Sequence, residues 1–454
     1  MTLPYDASNQ NSIEEYAKRL RNKSLRQILT AELADRILYS IKNKGGMGQV
    51  LERHYFQYEP NNNSQPDFPN ADLELKSTPL KRLSDGRLVA KERLVLNIIN
   101  YEAEGSKTWE TSSFWTKNKN LLLMFYLYQE DKSILDLVFK LIGIWRYPVR
   151  DLKIIKNDWE VIVRKIRDGK AHEISEGDTL YLAACVKGKG GTKNLREQSD
   201  NSIKAIQRAF SLKKKYVDTI IAQWLKKDEY AGIESIVKAE DDYRDEAETF
   251  EGLVKRKFSP FIGMSIEEIH DKVGKDLNPL SKNYFSRVSL RILGVEGERA
   301  EEFEKAEILL RTIRLKRNNI PKEDISFPRF KYKEIVKEDW ETSTLRETFS
   351  QRFFFVLFKY DEVGRLILRK VEFWSMPIRD MLEVERVWRL TVKRIASGNA
   401  NDLPKKSESY ICHVRPHARN AEDTDETPDG KWLVKKCFWL NAAYVSDQVA
   451  GGLD

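Results

Sequence analysis

Residues 109–129 read WETSSFWTKNKNLLLMFYLYQ, and residues 340–360 read WETSTLRETFSQRFFFVLFKY. Both open on the tetrapeptide WETS and run on into an apolar stretch with the pattern of a buried strand. Working outward, the correspondence holds in register. Pro148-Val149-Arg150-Asp151 recurs as Pro377-Ile378-Arg379-Asp380, Trp159 as Trp388, Tyr181-Leu182 as Tyr410-Ile411, and RAFSLKKKYV from Arg208 as KCFWLNAAYV from Lys436. Upstream, KGGMGQVLER from Lys44 pairs with KNYFSRVSLR from Lys282, and NKSLRQIL from Asn22 with GMSIEEIH from Gly263. Self-similarity in one order along so much of a chain means one domain type present twice. The copies are expected at residues 1–230 and 258–454. Between them IVKAEDDYRDEAETFEGLVKRK is charged and has no turn residue until Gly252, which predicts a solvated linking helix over 231–257.

A chain of 454 residues accommodates two such units with sizeable cores. Within each copy the patterning predicts a mixed α/β fold. In the first copy, strands are expected at DLELKSTPL, RLVLNIINY and NLLLMFYLYQ. Helices are expected from about Met47 to Phe56, over DWEVIVRKIRDG ending at Gly169, and over KYVDTIIAQWLKK. Lys and Arg outnumber Asp and Glu by 78 to 70, a formal charge of +8 that suits a polyanionic partner without requiring one. The three cysteines form no CxxC pair and there are five histidines, which supports neither a disulfide framework nor a zinc site. No basic leader followed by an apolar core opens the chain and no long uncharged apolar stretch interrupts it, so a cytoplasmic location without a membrane partner is expected.

The chemistry is concentrated in DFPNADLELK, residues 67–76. Strand alternation puts Glu74 and Lys76 on one face. Hydrolysis of a phosphodiester calls for a hard divalent ion held by carboxylate and carbonyl oxygens, and Asp67, Glu74 and the Leu75 carbonyl can supply them. Lys76 would orient or deprotonate the attacking water and neutralise charge gathering on the phosphate. Glu52 would be a further ligand or would hold the Lys76 amine. An acid two residues ahead of a lysine also occurs at Asp151 with Lys153, Asp168 with Lys170 and Asp429 with Lys431, so the spacing alone decides nothing. What distinguishes Glu74 and Lys76 is an apolar strand, where charge is costly without a metal or partner.

KGGMGQVLE, then DFPNADLELKSTPL, then Gly86-Arg87, then KERLVLNI, then WETSSFWTK closely resemble, in order and spacing, the mismatch-repair nuclease MutH and the GATC-specific type II restriction endonucleases related to it. The resemblance implies a variant PD-(D/E)xK nuclease core with Glu52, Asp67, Glu74 and Lys76 on active-site positions and Lys117 on a further basic position. It implies a two-lobed α/β fold clamping duplex DNA, magnesium as cofactor, and attack of water that leaves a 5′ phosphate.

In the second copy Glu74 is replaced by Leu309, Lys76 by Arg311, Glu52 by Leu290 and Lys117 by Thr348, with Glu302 an approximate counterpart of Asp67. Leucine cannot ligate magnesium. The segment Tyr410–His417 nevertheless resembles the base-reading arginine-proline segment of MutH, which makes Arg415 and His417 candidate DNA contacts and the second copy an effector domain for a second GATC site. In the first copy, Lys187 and Lys189 sit among glycines where lysine can read guanine edges. By the same resemblance Arg208, Lys213 and Tyr216 suit phosphate or base-edge contact, and Glu92 aligns with a family acid near the bases. Trp109, Trp159, Trp340 and Trp388 recur at matching points, as core residues would. Three functions fit: a restriction endonuclease, a mismatch-repair nicking enzyme, and a non-catalytic DNA-binding protein. The duplication and the intact Glu74 and Lys76 favour the first, with transient pairing of two chains on DNA and a cognate methyltransferase as functional partner.

Overall fold

The computed structural model describes residues 3–40, 46–58, 65–188, 194–198, 201–225, 232–239, 242–449 and 451. The chain divides into two compact units, residues 1–231 with 304–306, and residues 232–303 with 307–454. In the first unit a mixed sheet is built from β1 (Glu74–Arg82), β2 (Leu88–Ala90), β4 (Asn120–Leu127) and β5 (Val138–Arg146), ordered β2-β1-β4-β5. β1 and β4 are parallel and the other neighbours antiparallel. β4 is apolar almost throughout because it is central, and Leu121, Leu122, Leu123, Met124 and Phe125 have no exposure. A second sheet sets β9 (Arg208–Leu212) between β3 (Leu94–Ile98) and β6 (Leu182–Val186), and β7 (Leu195–Gln198) pairs with β8 (Asn201–Ile206).

The second unit resembles this arrangement, with the β2 edge strand reduced to a single bridge between Leu315 and Pro321. β10 (Ile233–Glu234) pairs with β11 (Arg299–Ala300). β12 (Leu309–Leu315), β14 (Phe353–Tyr360) and β15 (Leu366–Trp374) then form one sheet in that order. β13 (Ile325–Arg329), β19 (Lys436–Leu440) and β16 (Cys412–Pro416) form another, and β17 (Thr424–Glu426) pairs with β18 (Trp432–Val434). Irregularities recur as well as strands. The β4–β5 register shifts after Phe125 and the β14–β15 register after Leu357, while β3–β9 shifts between Val95 and Ile98 and β13–β19 between Ser326 and Arg329. Bulges are features of a fold rather than accidents of one strand, so their recurrence binds the copies more closely than strand order alone.

Each unit is centred on a 19-residue helix entered from a proline and closed by a left-handed glycine: Val149–Arg167 with Pro148 and Gly169 (φ 65°), and Ile378–Ala396 with Pro377 and Gly398 (φ 78°). The four recurring tryptophans are buried, Trp109 edge-on to Trp159 at 5.9 Å and Trp340 tilted on Trp388 at 5.6 Å. They are core residues, as the repeat implied. Tyr216 donates to Asp151 at 2.9 Å and Tyr444 to Asp380 at 2.7 Å, again at matching places. Within the first unit, Asp151 also accepts from Lys305 Nζ at 2.9 Å.

The expected linking helix over 231–257 is corrected. Helix covers only Phe250–Phe258; ahead of it lie β10 and a run of turns. The charges that looked like a solvated helix face instead bind nearby backbone. Asp242 accepts from the Lys238 and Ala239 N–H groups, Asp245 from Ala247 and Glu248, and Glu248 from Arg244. Short acidic side chains that satisfy nearby N–H groups compete with helix formation. Among the described residues no helix is long and apolar enough to cross a membrane.

Asp158 shows how this polar satisfaction extends into the core. It is 1% exposed and accepts from the N–H groups of Leu180, Tyr181 and Leu182 at 2.8, 2.6 and 2.9 Å, while burial pushes its pKa up to about 6. Replacing it by alanine orphans three buried donors. Chemical denaturation of Asp158→Ala is expected to show a loss of about 2–4 kcal/mol, and a variant within about 0.5 kcal/mol of the parent would refute the capping role.

Candidate active site

The segment before β1 folds back on the strand's first residues. Phe68 and Leu73 exchange backbone hydrogen bonds of 2.9 and 3.2 Å, and the turn between them ends on Asp72 with φ 51°, a conformation that Asp tolerates better than most side chains. This closure carries Asp67 over the start of β1. Its N–H donates to Glu74 Oε2 at 3.0 Å and its Oδ2 accepts from the Leu75 N–H at 3.0 Å. Glu74 is 1% exposed. Lys76, two residues on and on the same strand face, donates to Glu74 Oε1 at 2.6 Å. Lys117, from the helix Ser113–Asn118, reaches to 3.6 Å from the same oxygen and donates to the Gln65 carbonyl at 3.3 Å.

Glu52 comes from a π-helical turn, Leu51–Tyr55, that continues the helix Gly46–Val50. Burial holds its carboxyl above the ordinary range, Asp67 adds to the rise, and Lys76 and Lys117 offset part of it. For Glu74, burial is again the first cause; Lys76 opposes it, Asp67 adds to it, and the pKa is pushed up to about 7. The five catalytic candidates are therefore electrostatically one group, gathered from a turn, a strand and two helical segments. Gly48 lies beside them, where a Cβ would be in ordinary contact with Glu52 Oε1 at 3.7 Å and Ser77 Oγ at 3.8 Å.

One residue of this group was not found in the sequence. The Tyr58 hydroxyl is buried without a hydrogen-bond partner among the described residues. Burial, then Asp67, Glu52 and Glu74 in that order, hold its pKa far above the ordinary range. It is a neutral donor beside three acids. The signal available was its place after the predicted helix, which any core tyrosine shares.

As arranged, Glu74 Oε1 is occupied by Lys76, and among the described residues no three His, Cys, Asp or Glu side chains form a ready metal cage. The donor chemistry nevertheless fits a hard divalent ion. All the donors are oxygens, the Asp67 charge raises the pKa of both Glu52 and Glu74, and a buried phenol lacks a partner among the described residues. Asp67, Glu74 and the Leu75 carbonyl would hold the ion, with Glu52 completing the acidic surround.

The candidate DNA contacts of the first copy divide. Lys187 is exposed after β6, and Glu92 is exposed in the turn between β2 and β3. Lys189 lies outside the described residues. Arg208, Lys213 and Tyr216 are corrected: all three are buried. Arg208 donates to the Ala184 carbonyl at 2.7 Å, Lys213 to that of Thr179 at 2.7 Å, and Tyr216 to Asp151. For Arg208 the physical reason is that β9 is the middle strand of its sheet and is buried along its whole length; Lys213 directly follows that strand, and Tyr216 lies on the buried face of the helix Lys214–Leu225. In the second unit Arg415 and His417 are exposed and share Trp439. The Arg415 guanidinium lies 3.8 Å from the indole centroid and 3.4 Å from Asp324 Oδ2, and the His417 ring meets the indole edge-on at 5.2 Å.

Known proteins resemble this chain over the span that holds the site. The family profile "DNA mismatch repair enzyme MutH" matches residues 56–158, the span that holds Asp67, Glu74, Lys76, Glu92 and Lys117. "Type II restriction enzyme Sau3AI" of Staphylococcus aureus is 36% identical over 90% of this chain and 93% of its own length. The "DNA mismatch repair protein MutH" of Vibrio campbellii is 26% identical over 40% of this chain and 78% of its own, and that of Buchnera aphidicola subsp. Baizongia pistaciae 30% identical over 33% and 67%. Near-complete coverage of the restriction enzyme, against partial coverage by the repair proteins, decides between the two. The chain belongs to the type II restriction enzymes related to MutH and is a site-specific deoxyribonuclease.

Proposed function

We propose that the first unit cuts double-stranded DNA at GATC with magnesium, leaving 5′ phosphates, and that the second unit binds a further GATC site and activates the first. The observation that carries the chemistry is a nearly inaccessible carboxylate, Glu74, bound at once by Lys76 and by the backbone of Asp67. A bound divalent ion would supply Lewis acidity toward the phosphate and lower the pKa of water. Lys76, held by Glu74 at 2.6 Å, orients the attacking water and offsets charge gathering on the phosphate. Lys117 adds a second positive charge on the same carboxylate. Water attacks phosphorus, the bond to the 3′ oxygen breaks, and the proton lost by water is balanced by one gained on the leaving 3′ oxygen.

The choice of GATC rests on the motif resemblance, and the effector role on the exposed Arg415 and His417 against the half-buried Trp439, together with the loss of acids in the second copy. Arg415 stacked on an indole presents a guanidinium edge suited to guanine O6 and N7. One active site per chain and two strands per duplex imply that two chains pair transiently on DNA. A prokaryotic cytoplasm and a cognate methyltransferase that protects host GATC sites complete this reading.

Three measurements test it. With magnesium, a plasmid bearing several GATC sites should yield linear fragments and one bearing none should stay intact, while Glu74→Ala should cut neither; site-independent cutting would refute the specificity. Arg415→Ala should slow cleavage of a two-site plasmid by about 10-fold, toward the rate of a one-site plasmid, and an unchanged two-site rate would remove the effector role. The third concerns pH. Between 4.5, the ordinary value for Glu74, and about 7, its folded value, the unfolded chain has released a proton that the folded chain keeps, so stability falls as pH rises through that window. Metal-free Glu74→Gln should therefore be more stable than the parent at pH 8, by on the order of 1–3 kcal/mol, and this gain should vanish below about pH 4.5. A gain independent of pH would contradict the origin given for it.

A further inference from the structure

The second unit keeps half of an active-site ion pair. β12 lies on β14 in the register Leu309↔Phe353 and Arg311↔Phe355, the register of Glu74↔Leu121 and Lys76↔Leu123 in β1 and β4. Glu307 (φ 58°) precedes β12 as Asp72 precedes β1, and the hydrogen bond from the Ile308 N–H to the Phe303 carbonyl, 2.8 Å, repeats that from Leu73 to Phe68. Arg311 thus stands where Lys76 does, with Leu309 in the place of Glu74.

The acid that survives in sequence is engaged elsewhere. Glu302, at the position of Asp67, is 4% exposed and accepts from the Ser235 hydroxyl and from the N–H groups of Ile236 and Val237 at 2.8 and 3.2 Å. Leu290 replaces Glu52. These residues do not fit a metal ion: the carboxylates are gone or occupied, and a cation remains. Arg311 is partly buried, and its hydrogen bond is to the Leu310 carbonyl at 3.2 Å. Among the described residues no carboxylate lies within ion-pair distance of it, and desolvation holds its pKa below the ordinary arginine range. A desolvated cation without a counter-ion is costly, and an incoming anion offsets that cost.

We propose that the degenerate site is a metal-independent phosphate seat, in which the Arg311 guanidinium takes a phosphodiester of a second DNA duplex. The planar fork of arginine matches two phosphate oxygens at once, which an ammonium cannot do, and this gives a reason for arginine rather than lysine at a position with no water to activate. The proposal rests on the reading that the second unit binds DNA; it adds which ligand atoms are held and that no metal takes part.

The test uses the full chain in a Glu74→Gln background, so that DNA survives, and counts GATC duplexes bound per chain by sedimentation in EDTA and in magnesium. The expected result is a second duplex bound with equal affinity in both. Arg311→Met should weaken that second event about 10- to 100-fold and reduce its dependence on log salt by about one phosphate, with Arg311→Lys intermediate. A neutral methylphosphonate at the corresponding phosphate should produce the same loss with no change to the protein, which guards against a variant that misfolds. A second event that requires magnesium, or that ignores both Arg311→Met and the methylphosphonate, overturns the proposal while leaving DNA binding by the second unit intact. If no second duplex binds under either condition, the underlying reading of that unit fails instead, and the proposal with it.

Discussion

A carboxylate cut off from water is the constraint around which the first unit is arranged. Glu74 is closed in by the start of β1, by the turn that carries Asp67 and by the helix that carries Lys117. Burying it is tolerable only because Lys76 and a backbone N–H bind it. Even so, its pKa rises to about 7. Such a site is held under electrostatic tension by the fold and is poised for a cation that the carboxylates share. Stability given up locally is recovered elsewhere, in a central strand with no exposed side chain along most of its length and in fully satisfied buried acids such as Asp158.

The second unit shows what the same framework does once that constraint is lifted. With leucine at the Glu74 and Glu52 positions there is no tension to hold, and Glu302 is free to turn and secure the chain at residues 235–237. The β12-β14-β15 and β13-β19-β16 strand orders, the bulges, the proline-started helix and the tyrosine–aspartate contact persist, while the β2 edge strand does not. Small losses are visible in the core: Trp159 donates to Glu104 at 3.0 Å, whereas the indole nitrogen of Trp388 has no partner among the described residues. The frame recurs without the acids, so the residues proposed for the reaction are ones that the fold does not require.

Much of this was legible in the sequence, for reasons that can be stated. The repeat was readable because core positions such as Trp109 and Trp340 cannot change without opening cavities. Glu74 and Lys76 stood out because charge inside an apolar strand needs a cause. The linking helix was misread because local side-chain-to-backbone bonds at Asp242 and Asp245 leave no periodic signature. Arg208, Lys213 and Tyr216 were misread because a polar side chain looks alike in sequence whether it faces DNA or a buried acceptor; the central place of β9 and the buried face of the helix that follows it settle which. Tyr58 and Trp439 went unremarked because their roles arise from neighbours distant in the chain.

In the proposed division of labour the first copy holds a divalent ion and the second does not. Crystals of the full chain soaked in manganese, with anomalous data collected at the metal edge, test it directly. One peak per chain is expected, between Asp67, Glu74 and the Leu75 carbonyl, and none beside Leu309 and Arg311. A peak at the second position, or none at the first in a crystal that cleaves DNA on soaking, would contradict it.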